Sequence, residues 1–406
     1  MYHIYSIDEI IENIKNNDWV YFPNNINIDA YVVRPDAVYG DLDENNALSI
    51  TLWTYREYFT EFVEKLKQKI RQDIKDAIRT GEILNYPMVF STCEGFSLNE
   101  NARIISELLN EFKEEIPDIF DRVIFISSSF NYNRDTYRVN GVIRFHDITF
   151  TFIHLAHSIP NKFKNEIDYV IPQEKIFEKT FGCLLARPSY DRVKIAHHLI
   201  SNYDTDTLLL CNNDGFRHIL CKVFENIDIN RYQNQIMIEK TINNESDYHE
   251  YVINDLLDKT KNIFVDIVSE TLFYEEDNVW FTEKTVYPML LGLPFITSST
   301  AGIYKLYHSF GFKTFSDFWD ESFDDIIDHE ERNKKFISTI DYIASTYNTE
   351  EKRQEAYKKM LPILQHNRRH MLHLLNNPRE VLDYIKHTDS AIAELETILK
   401  SAYPNS

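Results

Sequence analysis

The sequence predicts an α/β protein built on parallel sheets, and three observations indicate this class. Apolar strands alternate with helical segments through the second half of the chain, an order typical of parallel sheets. These strands are apolar almost throughout, as expected where helices cover both faces of a sheet. The chain has 406 residues, which is too long for one ordinary hydrophobic core and predicts two domains.

The first half of the chain predicts a mixture of strands and helices. Apolar residues at spacings of three and four indicate one amphipathic helix, and prolines close two strand-like segments near the start. The predicted elements are strands at 18–23 and 29–35, a helix at 53–80, a strand at 88–92, a helix at 100–112, a strand at 122–129 and one or two strands within 142–156.

The second half predicts a Rossmann-like domain, because strands and helices succeed each other regularly. The predicted elements are strand 181–187, helix 190–201, strand 207–214, helix 251–260, strand 263–270, helix 283–292 and strand 294–299, followed by helices only. We therefore predict one domain at 1–165, a second at 166–345, and a helical C-terminal segment at 346–406.

The composition is that of a folded, acidic protein. The chain carries 64 acidic and 43 basic residues, a net charge of −21. This charge opposes nonspecific binding to DNA or to an anionic membrane. The first residues lack the pattern of a signal peptide, and the longest apolar stretch, at 287–296, is too short to span a bilayer. We expect a cytoplasmic protein without a membrane span.

A polar cluster marks the predicted start of the helix at 283. Thr282, Glu283, Lys284 and Thr285 follow a buried strand and an acidic loop. A helix N-terminus has unpaired N–H groups and a partial positive charge, and Lys284 adds a full charge. The cluster therefore predicts a site for an anionic ligand such as a nucleotide diphosphate.

These residues also carry a resemblance to a known family. Phe281-Thr282-Glu283-Lys284, with Glu270 ending the preceding strand, resembles the donor-binding segment of nucleotide-sugar glycosyltransferases of the GT-B type. It is most similar to the α-1,3-fucosyltransferase-like group, whose hallmark is an aromatic residue before Thr-Glu-Lys. Two later segments resemble glycosyltransferases of phages and giant viruses, at 311–315 and 320–324. The resemblance covers residues 177–332.

The resemblance implies two Rossmann-like domains that face a cleft, with C-terminal helices crossing back onto the first domain. It implies an inverting, metal-independent transfer of a sugar from a nucleotide diphosphate to an acceptor hydroxyl, with no cofactor beside the donor. The donor-binding residues that it implies are Arg187, Arg192, Glu270, Phe281, Thr282, Glu283, Lys284 and Thr285.

The resemblance also suggests roles for the charged residues. Glu283 would accept hydrogen bonds from donor hydroxyls, and Lys284 would neutralise the diphosphate, whose charge grows in the transition state. Arg192 matches a family arginine at a helix start better than Arg187 does, and a guanidinium suits phosphate oxygens. The stretch from Arg192 to Thr282 is longer than in fucosyltransferases, which leaves the donor sugar and nucleobase open.

An inverting transferase needs a base for the acceptor hydroxyl. Glu94 is the candidate catalytic residue, because it precedes Gly95 in a loop directly after the predicted strand 88–92. Such loops face the ligand in α/β folds. Asp147 and Glu270 are the alternatives, and Glu270 fits a donor contact better.

Other patterns predict structure rather than chemistry. Asp204 and Asp206 form an Asp-x-Asp, a metal-binding motif of the other large glycosyltransferase fold, but they precede a strand instead of following one. His366, His370 and His373 share a helix face, which we interpret as a partly solvated face and not as a metal site. The four cysteines show no CxxC spacing, so a zinc site is not predicted.

The acceptor stays open between two classes. A glycan suits the fucosyltransferase likeness, and a hydroxymethylated DNA base suits the phage likeness, although the acidic charge weighs against DNA. The location would be the host cytoplasm if the chain is viral. The alternative function is a catalytically inactive nucleotide- or sugar-binding or scaffold protein that keeps the donor cluster without a working base. The oligomeric state stays open too.

Overall fold

The computed structural model contains two sheets of mainly parallel strands with helices around them, so the predicted α/β class is confirmed. The predicted strands at 18–23 and 29–35 lie outside the described residues. The structure describes residues 8, 11–12, 26–27, 67–68, 70–85, 87–92, 98–127, 138–146, 155, 171–185, 190–211, 236–237, 260, 262–270, 279, 281–384 and 389–404.

The first sheet lies in the N-terminal half and has the strand order β1-β2-β3-β5-β4. Its neighbours pair in parallel except β4 and β5, which form a hairpin. Asn140 and Gly141 make the hairpin turn at φ of 51° and 85°, as is typical of two-residue Asn-Gly turns. The strands are β1 (Ile26–Asn27), β2 (Met88–Thr92), β3 (Val123–Ser127), β4 (Arg138–Val139) and β5 (Val142–His146).

Three helical segments share a core with this sheet. They are α1 (residues 70–79), α2 (Glu82–Asn85) and α3 (Leu98–Asn110). Ile74 and Leu108 point into the same apolar cluster as Phe125 of β3, as the amphipathic spacing of the sequence predicts. The helix predicted at 53–80 is confirmed over 70–79, and the one at 100–112 corresponds to α3.

The second sheet has the strand order β10-β9-β6-β7-β8, and all its neighbours are parallel. From the central strand β6 the chain fills one side with β7 and β8, then crosses to the other side for β9 and β10. The strand order therefore reverses between β6 and β9. The strands are β6 (Lys179–Leu185), β7 (Thr207–Cys211), β8 (Ile236–Met237), β9 (Ile263–Ser269) and β10 (Phe295–Ser298).

The helices of this half pack mainly on the second sheet. Tyr357 is fully buried in its core, and the Tyr357 hydroxyl donates to Pro172 O at 3.1 Å. The core of the second sheet therefore continues past residue 345 into the helix Glu350–Asn376. None of the described helices is both long and apolar enough to cross a membrane. The helices are α4 (Tyr190–Tyr203), α5 (Glu283–Leu291), α6 (Ile303–Ser309), α7 (His329–Thr346), α8 (Glu350–Asn376) and α9 (Asp389–Ala402).

Helix α9 and the residues after it contact the N-terminal half instead. The Tyr403 hydroxyl lies 3.3 Å from Ile83 O, and the Arg122 guanidinium lies 4.6 Å from the centre of the Tyr403 ring. The ring is buried in this contact. The end of the chain is therefore anchored beside α2 and the start of β3.

Gly292 makes the turn from α5 into β10. Its φ is 63°, a left-handed value that costs a side chain roughly 1–2 kcal/mol. A Cβ on Gly292 would also lie 2.6 Å from Ile171 Cδ1, closer than packed carbon atoms approach. Both the backbone and the available space therefore require glycine at this position.

We expect Gly292→Ala to destabilise the protein by about 2–4 kcal/mol, because left-handed strain and overpacking against Ile171 add together. Gly81→Ala is the matched control, since Gly81 has a φ of 72° and a Cβ added there would meet nothing within 4 Å. The control should lose only the strain part in urea unfolding. Equal losses in the two variants would contradict the collision with Ile171.

Candidate functional site

Buried polar side chains gather at the carboxyl edge of the second sheet, where the strand order reverses. β9 ends at Ser269, followed by Glu270, and β10 ends at Ser298, followed by Ser299 and Thr300. All five residues are 3% exposed or less. The two strand ends are joined by a hydrogen bond from Glu270 N to Ser298 O at 2.9 Å. This bond satisfies two buried backbone groups and ties the ends of β9 and β10 together.

The Glu270 carboxylate holds the start of α5. Its Oε1 accepts from Thr282 N at 3.0 Å and from Thr285 Oγ1 at 2.6 Å, and its Oε2 accepts from Thr282 Oγ1 at 2.7 Å. Thr282 is the N-cap of α5, where the helix dipole favours a negative charge. The end of β9 is thereby fastened to the first turn of α5.

Arg192 holds the same strand end from the other side. It is the third residue of α4 and is 5% exposed. Its Nη2 donates to Ser269 O at 3.1 Å and to Glu270 O at 2.9 Å. Buried carbonyls past the end of a strand have left the sheet's hydrogen-bond ladder and need other partners. Arg192 therefore joins the start of α4 to the end of β9.

Glu283 and Lys284 combine charge with access to solvent. Their side chains are 27% and 15% exposed, and Lys284 Nζ lies 3.2 Å from Glu283 Oε1. Lys284 Nζ also donates to Thr282 Oγ1 at 3.3 Å. The ammonium can bind an anion, and the carboxylate can accept hydrogen bonds from hydroxyl groups. These two residues are the chemically available part of the predicted cluster.

A second buried arginine, which the sequence did not predict, holds the end of β10. Arg332 is 3% exposed, and it donates to Ser299 O at 3.0 Å and to Ile326 O at 2.7 Å. Its neighbour Asn333 donates to Asp191 Oδ1 of α4 at 3.2 Å. Arg332 and Asn333 lie in the charged N-terminal segment of α7, which is typical of a solvent-exposed helix, so the sequence carries no signal for them.

A buried carboxylate, that of Asp324, also lies at the start of α6. It accepts from Ile303 N and Tyr304 N, both at 2.9 Å, and burial raises its pKa to about 6. Nearby, Glu321 accepts from Phe315 N at 2.8 Å. Protein carboxylates therefore occupy the starts of both helices at this edge. An incoming anion would meet the Lys284 side chain rather than the N–H groups that Glu270 and Asp324 bind.

The structure brings most of the predicted donor-binding residues to this edge. Phe281 and Thr285 are fully buried, so they support the site from beneath. Arg187, the predicted base Glu94 and its alternative Asp147 lie outside the described residues. The predicted residues that meet at the edge are Arg192, Glu270, Phe281, Thr282, Glu283, Lys284 and Thr285.

The patterns interpreted as structural lie away from this edge. Asp204–Asp206 forms a turn directly before β7, at the opposite end of the sheet from Glu270. His366 and His370 place Nε2 at 2.8 Å and 2.5 Å from the backbone oxygens of Gly311 and Phe310. His373 instead contacts a carboxylate, that of Glu380, which the spacing did not predict. Among the described residues, no group of three or more His, Cys, Asp or Glu is arranged to hold a metal ion.

A scan against protein-family models and searches of curated proteins and of solved structures find no match to this chain. The resemblance carried by Phe281–Lys284 therefore stays a prediction. What the chain binds has to be inferred from the chemistry of the carboxyl edge.

Glu321 makes the stability of this region depend on pH, because burial raises its pKa to about 7. The folded protein then favours the protonated form, so stability falls as pH rises from about 4.5 to about 7. Glu321→Gln keeps an acceptor for Phe315 N but cannot ionise. We expect the free energy of unfolding of the variant, relative to that of the unmodified protein, to be higher at pH 8 than at pH 5. Urea unfolding at the two pH values measures this difference.

Asp320→Asn is the control for this experiment. Asp320 is half-exposed and pairs with Lys335 at 2.6 Å, and its hydrogen bonds to Lys335 and Ser322 lower its pKa to about 2. Between pH 5 and pH 8 it is ionised in the folded protein, and its ordinary pKa of about 3.9 keeps it ionised when unfolded. Its effect should therefore be the same at both pH values. An equally constant effect of Glu321→Gln would refute the pKa assignment.

Proposed function

We propose that this chain is a glycosyltransferase that moves a sugar from a nucleotide diphosphate to an acceptor hydroxyl, with the donor at the carboxyl edge of the second sheet. The observation that carries the proposal is the reversal of strand order between β6 and β9. Open parallel sheets bind ligands where such a reversal separates two crossovers. Here the helices that follow β6 and β9 bring Arg192 and Lys284 to one edge.

The proposal includes a fold of two Rossmann-like domains facing a cleft. Counted from β8 to β10, the second sheet has the order 3-2-1-4-5 of nucleotide-binding sheets. The first sheet would form the acceptor side. The contact of Tyr403 with Ile83 and Arg122 supports a C-terminal segment that crosses back onto the first domain.

In the proposed reaction the acceptor oxygen bonds to the anomeric carbon while the bond from that carbon to the diphosphate breaks. The diphosphate leaves with the electron pair, and Lys284 stabilises its growing negative charge. Glu283 binds donor hydroxyls. The hydroxyl proton passes to the carboxylate of Glu94, the proposed base, and the anomeric configuration inverts.

Arg192 and Glu270 contribute to donor binding through position. Arg192 fixes the backbone at the end of β9, and Glu270 fixes the first turn of α5. Lys284 therefore meets the donor from a turn that is held on both sides. Preorganised charge of this kind needs little rearrangement when the reaction begins.

We propose a glycan as the acceptor in preference to a DNA base. DNA binding relies on a footprint of Lys and Arg, whereas this chain has a net charge of −21. A salt-sensitive gel shift on hydroxymethylated DNA would point to the modified base instead.

A catalytically inactive nucleotide-binding or scaffold protein is the second candidate. It is favoured by the hydrogen bonds that Arg192 and Glu270 make to protein groups. Such a protein would bind a nucleotide through Lys284 without transferring a sugar.

We expect one of GDP, UDP and CDP to raise the melting temperature of the protein selectively. Lys284→Ala should lower the affinity for that nucleotide roughly 10- to 100-fold, which is the effect of losing a hydrogen bond between charged groups. Lys359→Ala is the matched control, because Lys359 is exposed on α8 and its ion pair with the exposed Glu355, at 2.7 Å, contributes little to stability in solvent. Equal weakening in both variants would argue against a contact with Lys284.

The enzyme and the inactive binder are separated by Glu94→Ala. In a glycosyltransferase, removal of the base should lower turnover by 10²-fold or more while the nucleotide binds as before. Release of nucleotide diphosphate from the corresponding nucleotide sugar measures turnover. The inactive binder would be supported if the unmodified protein binds the nucleotide but releases no nucleotide diphosphate from any common nucleotide sugar in the presence of common acceptors.

A further inference from the structure

A buried hydroxyl network continues inward from the first turn of α5. Thr285 Oγ1, which donates to Glu270, also lies 2.8 Å from the Tyr307 hydroxyl of α6. The Tyr307 hydroxyl also lies within hydrogen-bond distance of Thr297 Oγ1 of β10, at 3.1 Å. This hydroxyl has one hydrogen to share between the two threonine oxygens. The network therefore links three separate elements: α5, α6 and β10.

Packing fixes the Tyr307 hydroxyl in place. The side chain is fully buried, and its ring lies edge-on to those of Phe281, Phe295 and Tyr304, with centres 5.6–6.1 Å apart. Burial raises the pKa of Tyr307 well above its ordinary value, so the hydroxyl keeps its hydrogen at working pH. A rigid ring thus presents one hydroxyl to Thr285 and Thr297.

We infer that Tyr307 is a positioning residue for the carboxyl edge, acting through Thr285 and Glu270 on the turn that carries Glu283 and Lys284. Thr282 and Thr285 flank the two charged residues, and both donate to Glu270. The charged side chains therefore project from a turn whose two ends are held by one carboxylate. The contact with Tyr307 holds Thr285 Oγ1 within reach of this carboxylate.

The effect of Tyr307 on ligand binding rests on the proposed function, whereas its effect on the turn is a property of the fold. A small displacement of Glu283 or Lys284 lowers affinity, because their contacts with the nucleotide depend strongly on distance. Loss of the Tyr307 hydroxyl should therefore lower the affinity for the nucleotide, although Tyr307 is buried.

Tyr304 provides a matched control on the same helix. It is also buried, at 4% exposure, and its hydroxyl accepts from Thr297 N at 2.8 Å. That hydrogen bond leads to β10 and not to α5. Tyr304→Phe and Tyr307→Phe each remove one buried hydroxyl bound to Thr297, but only Tyr307→Phe breaks the connection to Thr285.

The first measurement is hydrogen–deuterium exchange of the full chain without ligand. We expect amides in residues 282–286 to exchange roughly tenfold faster in Tyr307→Phe, the effect of about one lost hydrogen bond, and to be unchanged in Tyr304→Phe. Thr285→Val removes the hydroxyl at the other end of the contact with little change of shape and should act like Tyr307→Phe. It also tests the network if Tyr307→Phe does not fold.

The second measurement is the affinity for whichever of GDP, UDP and CDP binds the unmodified protein. Tyr307→Phe should bind it roughly tenfold more weakly, and Tyr304→Phe should bind it normally. If the two phenylalanine variants match in both exchange and affinity, Tyr307 is a core residue only and the inference fails. If exchange changes as expected but no nucleotide binds the unmodified protein, the positioning stands and the proposed function fails.

Discussion

Glu270 is held through its backbone and holds another element through its side chain. Its carbonyl accepts a hydrogen bond from Arg192 of α4, while its carboxylate accepts three from Thr282 and Thr285 at the start of α5. A buried carboxylate is costly unless such donors surround it, and here the helix dipole adds to them. Glu270 therefore links the two helices that flank the reversal of strand order.

The same arrangement occurs at the neighbouring strand. Arg332 donates to the carbonyl that follows β10, and Asp324 accepts from the first N–H groups of α6. Separating any of these charges from its partners would leave an uncompensated buried charge, which is more costly than never having introduced it. The edge therefore consists of buried residues held by hydrogen bonds, and the partly exposed pair Glu283 and Lys284 lies above them.

These buried hydrogen bonds affect how the edge could bind an anionic ligand. Helix starts commonly bind phosphate through backbone N–H groups. Here Asp324 accepts from the first N–H groups of α6, whereas at α5 Glu270 accepts from the N-cap Thr282 N and Thr282 Oγ1 accepts from Lys284 N. The partly exposed side chain of Lys284 adds a full positive charge for an anionic ligand at this edge. This favours recognition by a few directed contacts over a broad basic surface, in agreement with the acidic composition of the chain.

The amino-acid sequence alone was enough to predict the α/β class, the long strands of the second sheet and the start of α5, because these follow from local signals: apolar runs and the capping residue Thr282. It also predicted which residues cluster there, but not what they contact. Arg192 and Glu270 lie 78 residues apart, and strand β8 is too short for any periodic pattern. The three-dimensional arrangement was needed to show that Arg192, Arg332 and Tyr307 bind buried groups of the protein. Which polar group meets which carbonyl depends on the order in which strands pair, and that order is a property of the whole chain.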